Sequence, residues 1–490
     1  MSTNFSEEVR RMLAGLVTEE NRKWWTLAAV SFGLFMIMLD NTIVNVALPS
    51  IQRDLHMQLS ELEWIVSGYA LTFAALMLIG GKLADAYGRR LVFVTGIVVF
   101  TLASLACGLA PSGGALIGAR VAQGVGAALM NPATLSIIAV TFPPRQRGTA
   151  IGLWAGVSAL ALAIGPLVGG LLTEHAGWNW IFFINVPVGA VAIAASFLLI
   201  DESRDETHER LDIPGLATSG IGLFALTYGL IEANNFGWGS VRIVGAFVIA
   251  AVTLTAFILL ERHRPAPMLD LTLFRNRTYV GANLAMLLVA LAMFGVFFFV
   301  SLYMQNVLGY SAVQAGAAFL PMTILVILVA PAAGRLSDRW GSRWLMSGGM
   351  VLLALQLAYF SQLSSDATFW RLLPALVLGG FGMSMTMTPS SAAAMRAVPI
   401  QKAGVGSAVL NACRQVGGST GIALMGAIMA SQLATPPTTE SFMRGFERAL
   451  LVAACIALVG SLVAAWLVRP HDIEARESEE HQRSSTAEAA

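Results

Sequence analysis

GKLADAYGRR, residues 81–90, recurs in outline as GRLSDRWGSR at residues 334–343. Gly, Leu, Asp, Gly and Arg fall at the same five offsets, and the first copy holds Lys82, Asp85, Arg89 and Arg90 within ten residues. The surroundings are apolar. Hydrophobic residues make up 56% of the 490-residue chain and charged residues 12%, against about 25% charged in a soluble domain. With a mean hydropathy of +0.70, most of the chain is solvated by lipid or by other apolar helices. A charged device built twice into such a chain marks a duplicated membrane protein.

A spanning helix needs about 20 mostly apolar residues. Fourteen runs qualify, from 25–48 to 447–468, far longer than the roughly ten-residue segments of a membrane barrel. With the N-terminus inside, the alternating inner regions hold roughly 23 Lys and Arg and the outer loops about 5. That bias supports an even number of spans and two cytoplasmic termini. The repeated blocks lie roughly 250 residues apart, whereas six helices at about 30 residues each would take roughly 180. The excess has room for two extra helices, placed between DESRDETHER and ERHRPAP. A fainter echo pairs Gly124, Gly126 and Pro132 with Gly380, Gly382 and Pro389.

The expected architecture is an all-α integral membrane protein of two pseudo-symmetric six-helix bundles plus two inserted helices. Its parts are a cytoplasmic N-terminal segment (1–24), a first bundle (25–200), the inserted pair and linker (201–277), a second bundle (278–468) and a disordered cytoplasmic tail (469–490). Val9, Met12, Leu13, Leu16 and Val17 follow helical spacing, so segment 1–24 reads as a surface amphipathic helix or a solvated tail. No cleavable leader is expected.

Several function classes are disfavoured. The net charge of +1 makes no case for nucleic acid. Cys107, Cys413 and Cys455 lie in apolar runs, which suits buried thiols rather than disulfides or a metal site. No phosphate-binding G-x-x-x-x-G-K-[ST] loop, H-E-x-x-H pair or G-x-S-x-G elbow occurs. An ATP-driven pump and an intramembrane enzyme are therefore disfavoured, and no cofactor or metal is expected.

The polar residues inside the spans carry the chemistry. Asp40 lies in the first span, where a carboxylate costs at least about 2.5–3.5 kcal/mol unless it pairs, faces a polar cavity or takes up a proton. Arg120 lies in the fourth. Counted by helical rise, Asp40 is about 22 Å and Arg120 about 31 Å from the cytoplasmic ends of their helices. Both fall in the outer half, which leaves contact open to them directly, through Gln123 or through water. Asp40 then carries a coupling proton, or the pair is a structural clamp. Asn41, Asn45, Gln123, Asn411, Arg414 and Gln415 are candidates to line a central cavity. Glu232 reads as interfacial. Met293 and Phe294 in span nine, and Met383 and Met385 in span twelve, suit a promiscuous apolar pocket or plain core packing.

Gly81-x-Leu83-x-Asp85-x-x-Gly88-Arg89-Arg90 resembles the loop 2–3 signature of the major facilitator superfamily. LDNTIVNVALP (39–49), GWNWIFFINVP (177–187), LFRNR (273–277) and GSAVLNACRQVGGSTG (406–421) are similar to its fourteen-span drug:proton antiporter branch. So are Leu116, Arg120, Gln123, Gly124, Gly126 and Ala127 in span four. Gly165, Pro166, Gly169 and Gly170 resemble the fifth-helix antiporter motif, with Ala161 in place of its first glycine. The resemblance implies a monomer-competent, proton-driven exporter of amphipathic drugs or antibiotics, multi-pass in a bacterial inner (plasma) membrane. It also implies a cytoplasmic gate of Gly81, Asp85, Gly88, Arg89, Arg90, Arg147 and Asp338. There Gly81 and Gly88 permit a tight turn between two helices, and Asp85 caps a helix N-terminus or meets an arginine, its expected partners being Arg147 and the start of span thirteen near Gly404. Export or flipping of an endogenous metabolite or lipid is the alternative, and a non-transporting sensor a remote one.

Overall fold

The computed structural model describes residues 18, 21–204, 212–264, 271–398, 403–432 and 438–469. The expected N-terminal segment 1–24 and tail 469–490 lie almost wholly outside these residues. The described residues are helical, with no strand among them. The first seven helices are α1 (Arg22–Leu55), α2 (Leu59–Tyr87), α3 (Arg89–Gly108), α4 (Gly113–Thr141), α5 (Pro144–His175), α6 (Trp180–Phe183) and α7 (Asn185–Leu199). Then come α8 (Ile213–Phe236) and α9 (Val241–His263). The last seven are α10 (Arg277–Leu302), α11 (Ala312–Ala318), α12 (Leu320–Trp340), α13 (Ser342–Phe360), α14 (Phe369–Arg396), α15 (Ala403–Ala430) and α16 (Thr439–Leu467).

Helices are what a bilayer allows, because each backbone N–H and C=O must be satisfied inside its own segment. Among the described residues, 11 helices are long and apolar enough to cross a membrane, or 12 when the bent pair Leu59–Met77 and Ile79–Tyr87 counts as one. Helices α5 and α15, of 32 and 28 residues, also exceed the about 20 that a span requires. The set is compatible with fourteen spans. Polar residues mark several starts. Ser112, Ser240 and Asn276 accept backbone N–H bonds at the first turns of α4, α9 and α10. The Asn276 cap lies in the LFRNR stretch, directly after a 3₁₀ turn at Leu271–Arg275.

Helices α1–α7 pack on one another, and so do α10–α16. The faint glycine echo has a shared geometry. A Cβ on Gly124 would sit 2.6 Å from the Tyr69 carbonyl oxygen of α2, and one on Gly126 2.5 Å from the Phe100 nitrogen of α3. In the second half, Gly380 meets α12 at Leu325 and Met322, and Gly382 meets α13 at Leu353 and Gly349. In each copy the first glycine admits the helix two before and the second admits the helix one before. Small residues at such crossings let backbones approach where lipid supplies no hydrophobic drive.

The end carrying the connection from Leu55 to Leu59 is called outer here, after the charge bias. The halves meet along α2–α15, α5–α11, α5–α12 and α1–α10. Hydrogen bonds between described residues cross from one half to the other. Gln305 Nε2, in a π-turn at Tyr303–Val307, donates to the Val46 carbonyl at 2.9 Å, and the Val313 N–H donates to Glu174 Oε2 at 2.9 Å. Both lie at the outer end. Hydrogen bonds from the Ser311 side chain and the Val313 N–H hold the Glu174 carboxyl below its ordinary 4.5. A depressed carboxyl stabilises above its ordinary value and loses that contribution as pH falls, so this contact weakens only in acid.

Helices α8 and α9 pack on each other, and α8 reaches both halves. Trp64 Nε1 of α2 donates to Glu232 Oε1 at 3.2 Å, and Asn235 Nδ2 donates to Ser60 Oγ at 3.1 Å. On the other side, Asn234 Nδ2 donates to the Ala427 carbonyl of α15 at 2.5 Å. At the inner end of this hairpin Asp212, fully buried, pairs with Arg264.

The tight glycine crossings generate a stability test. A Cβ on Gly80 would lie 2.1 Å from the Ala128 carbonyl oxygen, a backbone atom that cannot swing aside. Gly80→Ala is expected to destabilise by about 1–3 kcal/mol. Gly245→Ala, on α9 with nothing within 4 Å, is expected to be neutral or stabilising by up to about 1 kcal/mol. Thermal melts of the purified variants in detergent check both.

Candidate functional site

Asp40 and Arg120 meet directly. Arg120 Nη1 lies 2.5 Å from Asp40 Oδ2, and each residue is 1% exposed. Gln123, one turn along α4 from Arg120, supplies the second contact. Its Nε2 donates to Asp40 Oδ1 at 2.9 Å, while its Oε1 accepts from Arg120 Nη1 at 2.6 Å. Both carboxylate oxygens therefore have a donor. Arg120 Nε donates to the Ile65 carbonyl of α2 at 3.0 Å. Gln123 Nε2 also reaches Ser104 Oγ of α3 at 2.8 Å, and Asn185 Nδ2 of α7 donates to the same oxygen at 3.3 Å. The guanidinium carbon sits 4.2 Å from the Tyr69 ring centroid and 5.9 Å from that of Phe182.

Five helices thus converge on one neutral pair. Removing a single partner from such a site leaves a buried charge uncompensated. Protonating Asp40 would do the same to Arg120, so any proton placed there loosens the network and frees the guanidinium. The geometry ties one buried carboxylate to the packing of α1, α2, α3, α4 and α7.

The other cavity candidates divide. Asn41 Nδ2 donates back to the Ile37 carbonyl at 3.0 Å, Asn45 Nδ2 to Asn41 at 3.3 Å, and Asn411 Nδ2 to Ser407 at 3.1 Å. All three satisfy their own helices. Arg414 is half-buried with no ion-pair partner among the described residues, and its Nε is buried without a hydrogen bond. It lies within electrostatic reach of Tyr69, whose buried hydroxyl also lacks a partner. Tyr69 therefore stands between the Asp40–Arg120 pair and Arg414. Gln415 is 1% exposed, with Nε2 unpartnered.

The gate residues are arranged differently from the expectation. Gly81 is not part of a turn, because α2 continues to Tyr87. Only Gly88, with φ of 120°, breaks the chain between α2 and α3. The apolar and helix-forming residues around Gly81 favour one more helical turn, and a single residue in a conformation that favours glycine makes the bend. Asp85 does not cap a helix. It pairs with Arg89, one turn further on, at 2.9 Å, and accepts from Ser136 Oγ of α4 at 3.0 Å. The N-terminus of α3 is capped from elsewhere. The N–H groups of Arg90 and Leu91 donate to the two oxygens of Glu202 at 3.1 Å each, a carboxylate placed where the helix dipole favours it. Arg90 Nη1 also bonds the Ile200 carbonyl. The side chains of Arg147 and Asp338 lie outside the described residues, while Gly404 falls in the first turn of α15. In the second copy, Gly341 has φ of 79° and Arg396 donates to Ser337 and Ser342.

The fifth-helix motif is a double interface. Gly165 and Gly169 abut α1 at Thr42 and Ile43, and Gly170 abuts the Ala312 carbonyl at the start of α11. Gly316 in turn abuts the Pro166 carbonyl. Pro166 leaves α5 continuous from Pro144 to His175. The motif therefore brings α5 against both halves at the outer end.

One residue escaped sequence reasoning. Glu63 falls one residue inside the expected second span and reads there as terminal. The helix begins at Leu59, and Glu63 is 2% exposed with Oε2 unpartnered. The signal that could have found it is an acid within an apolar run, the criterion that found Asp40. Ser104, Tyr69 and Asn185 were also missed as partners of the pair. Asn185 does lie in the GWNWIFFINVP stretch.

This helical architecture around a buried acid–base pair has close sequence counterparts. The Major Facilitator Superfamily profile matches residues 30–422 and, a second time, 283–489. The tetracenomycin C resistance and export protein of Streptomyces glaucescens is 38% identical over 413 residues, covering 84% of this chain and 77% of that one. The puromycin resistance protein pur8 of Streptomyces alboniger is 37% identical over 461 residues, covering 91% of each. The crystal structure of a bacterial homolog to the human lysosomal transporter Spinster superposes with a TM-score of 0.65 at 16% identity, covering 92% of this chain and 98% of that one. That match shows the fold. The chain belongs to the Major Facilitator Superfamily, and its architecture is that of a multi-pass membrane transporter.

The buried pair predicts an asymmetry between single and double variants. Arg120→Ala is expected to cost about 3–5 kcal/mol, while Asp40→Asn with Arg120→Gln recovers most of that loss. Chemical or thermal unfolding in detergent measures both.

Proposed function

We propose that the protein is a proton-driven antiporter that exports amphipathic small molecules, drugs or antibiotics, from the cytoplasm or inner leaflet. It would work by alternating access in a bacterial plasma membrane, as a monomer, with both termini cytoplasmic. The observation that carries the reading is the Asp40–Arg120–Gln123 network, a carboxyl of 1% exposure held by two donors. Beside it stand the export and resistance functions for which relatives matching most of the chain are named. In this reading Asp40 takes the coupling proton and Arg120 sets when it can. Helices α1–α7 and α10–α16 are the two moving bundles. Arg414, half-buried and without a counter-ion, faces the transport route. The inter-half hydrogen bonds of Gln305 and Glu174 at the outer end support an inward-open state. The block at 81–90 and its copy latch the inner end of each bundle.

Inverted vesicles with an imposed proton gradient and a pH-sensitive dye test this. Cationic and neutral drugs are expected to dissipate the gradient, and Asp40→Asn to reduce that response at least about tenfold. A mutant that responds like wild type makes Asp40 a structural clamp. If none of the drugs moves protons even in the wild-type protein, the drug-export reading fails and a lipid or metabolite substrate takes its place.

A further inference from the structure

The α2–α15 seam, which helps close the outer end, hides a row of polar atoms with no hydrogen-bond partner among the described residues. On α2, Glu63 Oε2 and Ser67 Oγ are buried without a hydrogen bond. On α15, Gln415 Nε2 and Ser419 Oγ are in the same condition. All four residues are 2% exposed or less. Gln415, Ser419 and Gly426 recur at helical spacing, and so lie along one face of α15. That face is turned to α2, because a Cβ on Gly426 would sit 1.9 Å from Glu63 Oε1. The helices run antiparallel, so the row extends inward from Glu63 toward Tyr69 and Arg414.

Buried polar groups are normally partnered, and exceptions call for an explanation. Four exceptions on two facing helices have a common one. A surface that is wetted in one state of a transporter and folded shut in the other would leave such groups unpartnered when shut.

The charges around Glu63 can be enumerated. Helix α8 presents Glu232, a second acid, bound by Trp64 Nε1 and Asn235 Nδ2. From Val416 to Ala430, α15 has no titratable side chain. Its Arg414 lies deeper, beside Tyr69. Helix α4 offers Arg120, which is committed to Asp40. On α2 itself, Glu61 is used by the Gln58 N–H in the helix cap. No cation among the described residues pairs with Glu63.

We propose that Glu63 is a second proton-binding carboxyl of the transport cycle, and that the outer seam closes only on its protonated form. Closing on the carboxylate would bury a charge with no counter-ion beside another acid; closing on the neutral acid does not. With the seam open, the carboxylate takes a proton from hydronium in the outer water, so that one O–H bond forms on Glu63 as one breaks in the donor, leaving water. It returns that proton to the same water on reopening. Glu63 therefore gates the cycle and moves no net charge across the membrane. This order of events deepens the antiport reading and rests on it, since protonation from outside must precede closure of the outer face.

The test reads the seam itself. Ser419→Cys is introduced after Cys107, Cys413 and Cys455 are replaced by alanine. Intact cells are treated from outside with a membrane-impermeant thiol reagent between pH 6 and 8.5, above the range in which Glu174 titrates. Rates are normalised to Ser365→Cys, at an exposed outer site. With Glu63 present, the normalised rate is expected to rise at least about fivefold as pH increases. Glu63→Gln should hold it at the low-pH level throughout, and Glu63→Asp should restore the rise. An equal rise with Glu63→Gln, or no rise with Glu63 present, overturns the proposal. Drug-driven proton flux is scored separately in vesicles. A flat labelling profile beside intact flux removes the gate and leaves the antiporter. A pH-dependent seam without drug-driven flux removes the antiporter and leaves a proton-operated outer face.

Discussion

A carboxylate and a guanidinium in the middle of a bilayer have no water to fall back on. The first half of the molecule is arranged round that one pair. Asp40 and Arg120 come from different helices, and their remaining valences are filled by Gln123, the Ile65 carbonyl and, through Gln123, Ser104. Asn185 extends the chain of contacts to α7. Each contact fixes a rotation about a helix axis, since a turn of about 100° per residue would swing the group out of reach. The electrostatic requirement therefore sets the relative rotation of α1, α2, α3, α4 and α7. The glycines at 124 and 126 then let α4 come close enough to its neighbours for the bonds to form.

Packing in the second half repeats the glycine logic without the ion pair. Gly380 and Gly382 bring α14 against α12 and α13 as their counterparts do for α4. The α14 region offers Ser384 and Thr386, which bond their own helix. The halves are thus alike in framework and unlike in chemistry. One holds the buried charge pair, and the other contributes Arg414, with its guanidinium unpaired among the described residues.

Much of the framework was legible in the sequence, because lipid imposes length and hydropathy that a linear reading can register. The spans, the two repeated blocks and the Asp40–Arg120 pair were read from spacing and charge. The partners of that pair were harder. Tyr69 and Ser104 are ordinary residues until the rotations of α2 and α3 are known. Glu63 was obscured by an uncertain boundary of a few residues, since an acid one residue inside a span and an acid one turn inside it have opposite meanings. The role of Gly81 was misplaced because two glycines near a charged block suggest a turn between them, whereas the helix continues to Tyr87. Sequence spacing also gave no sign that Glu202 would cap α3, since that contact joins residues more than a hundred positions apart.

The Glu202 contact has a mechanical consequence. The segment leaving α7 is stapled to the start of α3, with Arg90 holding the Ile200 carbonyl beside it and Arg89 N–H the Ser203 carbonyl. The inserted hairpin therefore enters the structure from a mooring on the first half. At its far end α8 touches both halves, through Trp64 and Ser60 on one side and the Ala427 carbonyl on the other. A strut moored to one body at its base and bonded to both at its tip cannot follow both when they part. If the halves part as proposed, the bond between Asn234 and Ala427 must break together with the packing of α8 on α15. In that cycle α8 and α9 would travel with the first bundle, and the face they share with α15 would be the surface that lets go.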